Sequence, residues 1–183
     1  DLLGVKYSDN GIVVNDLLQT TNSKVFSAGD VIDKEKKVAH VAMLEGVISA
    51  LNAMGKMEKI DYFSVPQVVY TDPQIGVVGD RKLAVKECKF PLSATTRAII
   101  KGLREGYAKV GIDEKGRIVY GEVVSDVAEE LINELAIAIK AGLTCKDLAL
   151  SALVHPSLSE SIINACRGFF NLDVDRFPKD KNA

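Results

Sequence analysis

The chain has 183 residues, 47% of them hydrophobic and 26% charged, enough for one domain, or one and a fraction, with a buried core. Its 23 basic and 25 acidic side chains give a net charge of −2 with the basic ones scattered, which excludes the footprint of a nucleic-acid or anionic-membrane binder. No apolar run approaches the roughly 20 residues of a bilayer span, and no charged leader with an apolar core opens the chain. It starts at Asp1 directly in Leu-Leu-Gly, so a fragment of a longer protein is expected.

Residues 11–14 read as a short strand and Lys24–Ala28 as a second, buried one ending in Gly29-Asp30. A charged loop, Asp33 to Lys37, leads into apolar residues at helical spacing from Val38 to Met54, with Gly55 as the stop. This is the strand–loop–helix unit of an α/β domain, and one such unit cannot cover both faces of a sheet.

After Asp61 the texture changes. Gln67–Thr71 and Ile75–Gly79 are β-branched runs bracketed by Pro66, Pro73 and Gly79, and predict two strands. Residues 80–87 are polar and predict a surface turn of helix; Ser93 to Gly102 predicts a short helix. Gly106–Asp113 and Gly116–Val124 flank Glu114-Lys115, a hairpin signal. Asp126-Val-Ala-Glu129 has capping-box spacing before a helix to Lys140, with Leu131, Leu135 and Ile139 on one stripe and Gly142 closing it. Further helices follow from Thr144 or Cys145 to Leu153 and from Ser157 to Phe169, and Pro178–Ala183 reads as a frayed end. Strands first and helices after, joined by hairpins, predict an α+β domain around an antiparallel sheet with flanking helices, residues 63–183, preceded by the α/β remnant of residues 1–62.

Cys88, Cys145 and Cys166 are an odd number without two-residue spacing, and only His40 and His155 could join them. No metal site is expected, and reduced buried thiols in a cytoplasmic protein are. Three places could carry chemistry. Asp30 stands just past the end of the expected α/β strand, where such sheets bind ligands; its carboxylate suits the hydroxyls of a sugar or ribityl chain, or it simply begins a turn. Lys37-Val38-Ala39-His40 opens a helix, whose free N–H groups and dipole favour an electron-rich atom, although a first-turn His40 also fits a solvated or capping role. His155-Pro156 sets an imidazole on a rigid bend ahead of a helix, and Glu160 five positions on fits two roles. It can orient the imidazole, or it can complete a Ser157-x-x-Glu160 capping box. Glu45-Gly46 in mid-helix is unusual, since Gly costs about 1 kcal/mol there; close packing against something flat would account for it.

At these places the chain resembles the flavoprotein disulfide reductases. The resemblance rests on Gly11-Ile-Val-Val-Asn15, Thr20-Thr21 and Val25-Phe-Ser-Ala-Gly-Asp-Val31, followed by Ala39-His40-x-Ala42-x-x-Glu45-Gly46. Pro66-x-Val-Val-Tyr-Thr-Asp-Pro73, Ile75-Gly-Val-Val-Gly79, Phe90-Pro91 with Arg97-Ala98, Ala128-x-Glu-Leu-Ile132 and His155-Pro-Ser-Leu-Ser-Glu160 continue in order. The last wording is closest to dihydrolipoamide dehydrogenases; glutathione reductases and, less well, mercuric reductases are the neighbouring alternatives. The resemblance implies a homodimeric oxidoreductase with FAD in one domain, NAD(P) in another and a dithiol or disulfide substrate such as a lipoyl group. It implies that Asp30 holds the ribityl chain, and that Lys37, Val38, Ala39 and His40 lie by the flavin ring. His155 becomes the acid–base partner of the other subunit's redox cysteine pair, with Glu160 as its orienting carboxylate.

The chain contains no Gly-x-Gly-x-x-Gly and no Cys-x-x-x-x-Cys. The linker between Gly79 and Phe90 is about ten residues shorter than the resemblance implies, and Ser125 stands where a Gly is usual in its turn. This piece alone is therefore expected to be inactive. The competing expectation is a stand-alone, non-catalytic dimerisation module.

Overall fold

The hairpin signal at Gly106–Val124 builds the middle of a sheet. In the computed structural model, which describes residues 2–175, strands β6 (Tyr107–Ile112) and β7 (Ile118–Ser125) pair antiparallel around a turn closed by Asp113, whose Oδ1 accepts from the N–H groups of Lys115 and Arg117 at 2.9 Å each. Gly116 takes φ +77° at this turn, a conformation costly for any residue with a Cβ. The chain forms two compact units, the first ending at Tyr62 and the second starting at Phe63.

In the second unit the five strands run in the order β3 (Gln67–Val69), β4 (Gln74–Gly79), β7, β6, β5 (Lys86–Pro91), antiparallel throughout. β5 corrects the expected helical turn over residues 80–87: only Arg81–Leu83 makes a 3₁₀ turn, and Lys86 onward extends along β6. β5 is an edge strand, and Lys86, Glu87 and Lys89 guard it as charges commonly guard edges, which is why it reads as loop.

Helix α3 (Ala128–Lys140) lies on β4 and β7 and buries Leu131, Leu135 and Ile139, the expected stripe, together with Ile132 and Ala138. It sits close because its bed has glycines: a Cβ on Gly121 would stand 2.6 Å from Leu135 Cδ1, and one on Gly76 would stand 3.0 Å from Ile132 Cβ. The expected Asp126 capping box does not form. Val127 is the N-cap, the Glu129 N–H donates to Gln74 Oε1 of β4 at 3.2 Å, and Asp126 is instead drawn to Lys101 Nζ at 2.5 Å. Helices α2 (Thr96–Lys101), α4 (Cys145–Ala149) and α5 (Glu160–Gly168) are shorter than their apolar spacing implies. α4 has a true capping box, Thr144 with Asp147, and α5 packs on β5 and β6. The resulting core runs from Phe90, Leu92, Val110 and Val123 through Ile132 and Leu135 to Ile162 and Cys166.

The first unit is sparser. β1 (Tyr7–Ser8) and β2 (Gly11–Ile12) form a two-residue ladder, and α1 spans Ala39–Ala53, one residue inside the expected helix at each end. The buried strand expected at Lys24–Ala28 is absent. Its residues are only partly covered, and Phe26 makes a single bridge to Gln19, because no neighbouring strand continues a ladder. No helix among the described residues is long and apolar enough to cross a membrane.

Candidate functional site

The second unit brings His155 and Glu160 together as their spacing anticipates. A buried Leu158 pins the loop that carries the imidazole, and Ser161 N–H closes onto Leu158 O at 3.0 Å. Glu160 opens α5 and divides its carboxylate: Oε1 lies 2.9 Å from His155 Nδ1, and Oε2 accepts the Ser157 N–H at 2.9 Å. The two roles weighed for Glu160 are therefore performed at once, although the other half of the box is missing because Ser157 Oγ has no hydrogen-bond partner. Burial pushes the Glu160 carboxyl up, but the Ser157 N–H and the imidazole outweigh it and hold it below the usual range. An ionised carboxylate only accepts, so Nδ1 carries the proton, and in the neutral ring Nε2 presents its lone pair. The His155 side chain is 62% exposed, so that lone pair is accessible.

A second carboxylate, which the residue spacing did not reveal, braces the same loop. Glu134 of α3 accepts from Ser159 Oγ at 2.5 Å, and burial pushes its carboxyl up despite that bond. The signal available was Glu134 beside the apolar stripe of α3.

In the first unit, Asp30 is exposed in a turn, and no hydrogen bond or ion pair engages its carboxylate among the described residues. Gly29 before it takes φ +82°, and a Cβ there would stand 3.6 Å from Ala42 Cβ, so the Gly29-Asp30 turn lies against the first turn of α1. Val38 is the N-cap of that helix and provides no side-chain cap. Ala39 and His40 are exposed, Val38 is half-buried, and Lys37 Nζ donates to Asn10 O at 2.7 Å.

The residue that organises this corner is Glu45. It is fully buried and takes the Gly29 N–H at 2.8 Å, Lys34 Nζ at 2.6 Å and Tyr62 OH at 2.7 Å. A carboxylate inside an apolar helical run was its signal. A Cβ on Gly46 would meet nothing within 4 Å, so no contact among the described residues accounts for the glycine. Among the described residues the three cysteines form no disulfide; Cys145 and Cys166 are buried, and contact with Cys145 together with burial pushes the Cys166 thiol up. Among the described residues no group of three or more potential ligands is placed to hold a metal.

The sequence family described as the dimerisation domain of pyridine nucleotide-disulphide oxidoreductases matches residues 65–166. The chain belongs to this family. Among the relatives of this chain, the dihydrolipoyl dehydrogenase of Thermus scotoductus is 41% identical over 88% of the chain and 37% of the relative. That of Haloferax volcanii is 34% identical over 88% and 36%. The crystal structure of LpdA from Mycobacterium tuberculosis superposes with a TM-score of 0.85 at 30% identity, covering 91% of this chain and 38% of that one. The chain thus spans a little over a third of the length of the relatives it matches.

Proposed function

We propose that the chain is the C-terminal portion of an FAD- and NAD(P)-dependent dithiol/disulfide oxidoreductase of dihydrolipoyl dehydrogenase type. Residues 1–62 would end its FAD-binding domain, and residues 63–183 would supply its homodimer interface and the acid–base pair. One observation carries the reading: a solvent-open imidazole with Nδ1 held by a carboxylate and Nε2 free, inside a family that handles disulfides.

The flavin corner fits the cofactor. Asp30 offers an unengaged carboxylate to a ribityl hydroxyl beside an uncapped helix start, and Glu45 fixes the backbone between them. FAD held there would supply two-electron exchange with a dithiol. The protein's own contribution is a proton path. A thiol with an ordinary pKa near 8.5 is mostly protonated at neutrality. His155 Nε2 takes that proton, the sulfur becomes a thiolate, and Glu160 stabilises the resulting imidazolium through Nδ1–H. The pair serves a thiol of the other subunit. Exposed Leu150, Leu153 and Val154 run up to His155 and offer the apolar surface that such a partner would cover.

His155→Gln in the full-length protein should lower dithiol turnover about 10²–10⁴-fold with flavin retained. Turnover at the parent rate removes His155 from the chemistry. Asp30→Ala should weaken flavin binding by roughly 1.5–3 kcal/mol without altering the second unit; unchanged affinity would make Asp30 a turn residue only.

A further inference from the structure

A cavity of about 340 Å³ opens at the end of the β6–β7 hairpin, between β5, the start of α4 and the residues after α5. Its apolar wall is made by Ile112, Phe169 and Phe170, and Lys86, Lys115 and Lys146 line it as well. No acidic residue does. Of the acids next to these lysines in sequence, Glu87 pairs with Arg81 at 2.6 Å, Asp147 caps Thr144, and Glu114 is exposed and does not line the cavity; Asp113, two positions from Lys115, pairs with Arg117 at 2.8 Å. None of the three lysine ammonium groups has a hydrogen bond or ion pair among the described residues. Residues 176–183 carry three basic side chains and one acidic one, so their own side chains do not complement three lysines.

We infer that this cavity is a binding site for a small amphiphilic anion, a carboxylate on a medium-chain aliphatic or aromatic body. Three like charges around one space repel, and an anion placed among them relieves that repulsion. Lysine suits this role because its ammonium is a point charge with three rotatable donors, able to follow a head group of any shape. The two phenylalanines and Ile112 give the body a place out of water, and the volume lies at the lower end of the range of about 300–1,000 Å³ for small-molecule sites. A bare inorganic anion would leave the apolar wall unused, and a neutral body would leave the lysines unpaired. The inference does not depend on the flavin reading, since every residue in it belongs to the second unit.

Calorimetric titration of the 183-residue chain with octanoate tests it, with acetate and 1-octanol as head-only and body-only controls. Octanoate should bind saturably at one site, more weakly as salt rises, and at least about tenfold more tightly than either control, a ratio equal to about 1.4 kcal/mol. Amide shifts at Gly116 and Thr144 should report it. The triple variant Lys86→Gln, Lys115→Gln, Lys146→Gln changes only exposed side chains, so its melting midpoint should hold while octanoate affinity falls about tenfold or more. Phe170→Ala, at a half-exposed position, should weaken octanoate without touching acetate. Absence of saturable octanoate binding, equal binding of 1-octanol, or retained affinity in the folded triple variant would each overturn the site.

Discussion

The two units of this chain are stabilised in opposite ways. From Phe63 onward, five paired strands and the helices on them close an apolar core in which Phe90, Leu92, Val110, Ile132 and Leu135 are completely or almost completely buried. Before it, α1 buries only Val41, Glu45 and Asn52, and leaves Met43, Leu44, Val47 and Leu51 exposed. The first unit is instead tied by side chains that bond to backbone. Asn52 gives its amide to Leu17 O and Glu58 O at 2.8 and 2.9 Å and takes the Glu58 N–H at 2.6 Å. A segment with its apolar surface still showing holds its shape through a few buried polar anchors, as the proposed end of a larger domain would. One broken anchor should therefore do more harm there than one lost methyl group.

The largest effect is expected at Glu45. Glu45→Ala leaves Lys34, whose side chain is 9% exposed, and Tyr62 without their shared acceptor. Removing one partner of a buried pair costs about 4 kcal/mol. Amide exchange should accelerate through Gly29 and α1 and stay at the parent rate in β6, β7 and α3. Equal acceleration in both units would dissolve the distinction between them. Leu135→Ala is the converse cut. It empties a fully buried site against Gly121 and should cost about 3 kcal/mol, read as a lower denaturation midpoint for the second unit with Gly29 and α1 protected as before.

The second unit also has a polar anchor, on the sheet rather than in the apolar core. Glu122 accepts from the hydroxyls of Tyr107 and Tyr120 and from Lys109 Nζ at 2.9 Å. Burial alone would push its carboxyl up; the two hydroxyls and the ammonium outweigh that and bring it down to about 2. A carboxyl depressed in the folded state stabilises the fold above its ordinary value of 4.5, and that contribution is lost as pH falls toward about 2. Glu122→Gln should thus cost about 2 kcal/mol at neutral pH and flatten the acid limb of stability. A limb of unchanged steepness would assign acid sensitivity to other carboxylates.

This contrast also sets what was legible in the sequence. The α3 stripe and the β6–β7 hairpin were legible because periodicity and turn chemistry agree with their burial. β5 was not, since an edge strand guarded by lysines has the composition of a loop. Lys24–Ala28 failed in the other direction, an apolar run with strand composition but no ladder. At the candidate site, the His155–Glu160 pair followed from Pro156 and the five-residue spacing, because a short loop leads from His155 straight into the helix that Glu160 opens. Glu45, Glu134 and the partner of Asp126 were hidden, because their bonds cross 11–25 positions and no local pattern encodes them.

The smallest expected change in stability is the most informative about chemistry. Glu160→Gln is nearly isosteric, and its amide oxygen can keep the Ser157 N–H while its NH₂ faces His155 Nδ1. An NH₂ group only donates, so Nδ1 must become the acceptor, and in the neutral ring the proton moves to Nε2. Stability should fall by about 1 kcal/mol or less, the scale of a helix-cap bond. The working nitrogen, however, would no longer offer a lone pair, so turnover in the full-length protein should drop well beyond what the stability change implies, with flavin retained. Nitrogen NMR of His155 in the 183-residue chain reads the tautomer directly: Nδ1 protonated in the parent, Nε2 protonated in the variant. If the ring keeps Nδ1 protonated in Glu160→Gln, the carboxylate does not select the tautomer. Glu160 would then serve the second unit only as the Ser157 cap, a polar anchor of the same kind that Glu45 provides in the first.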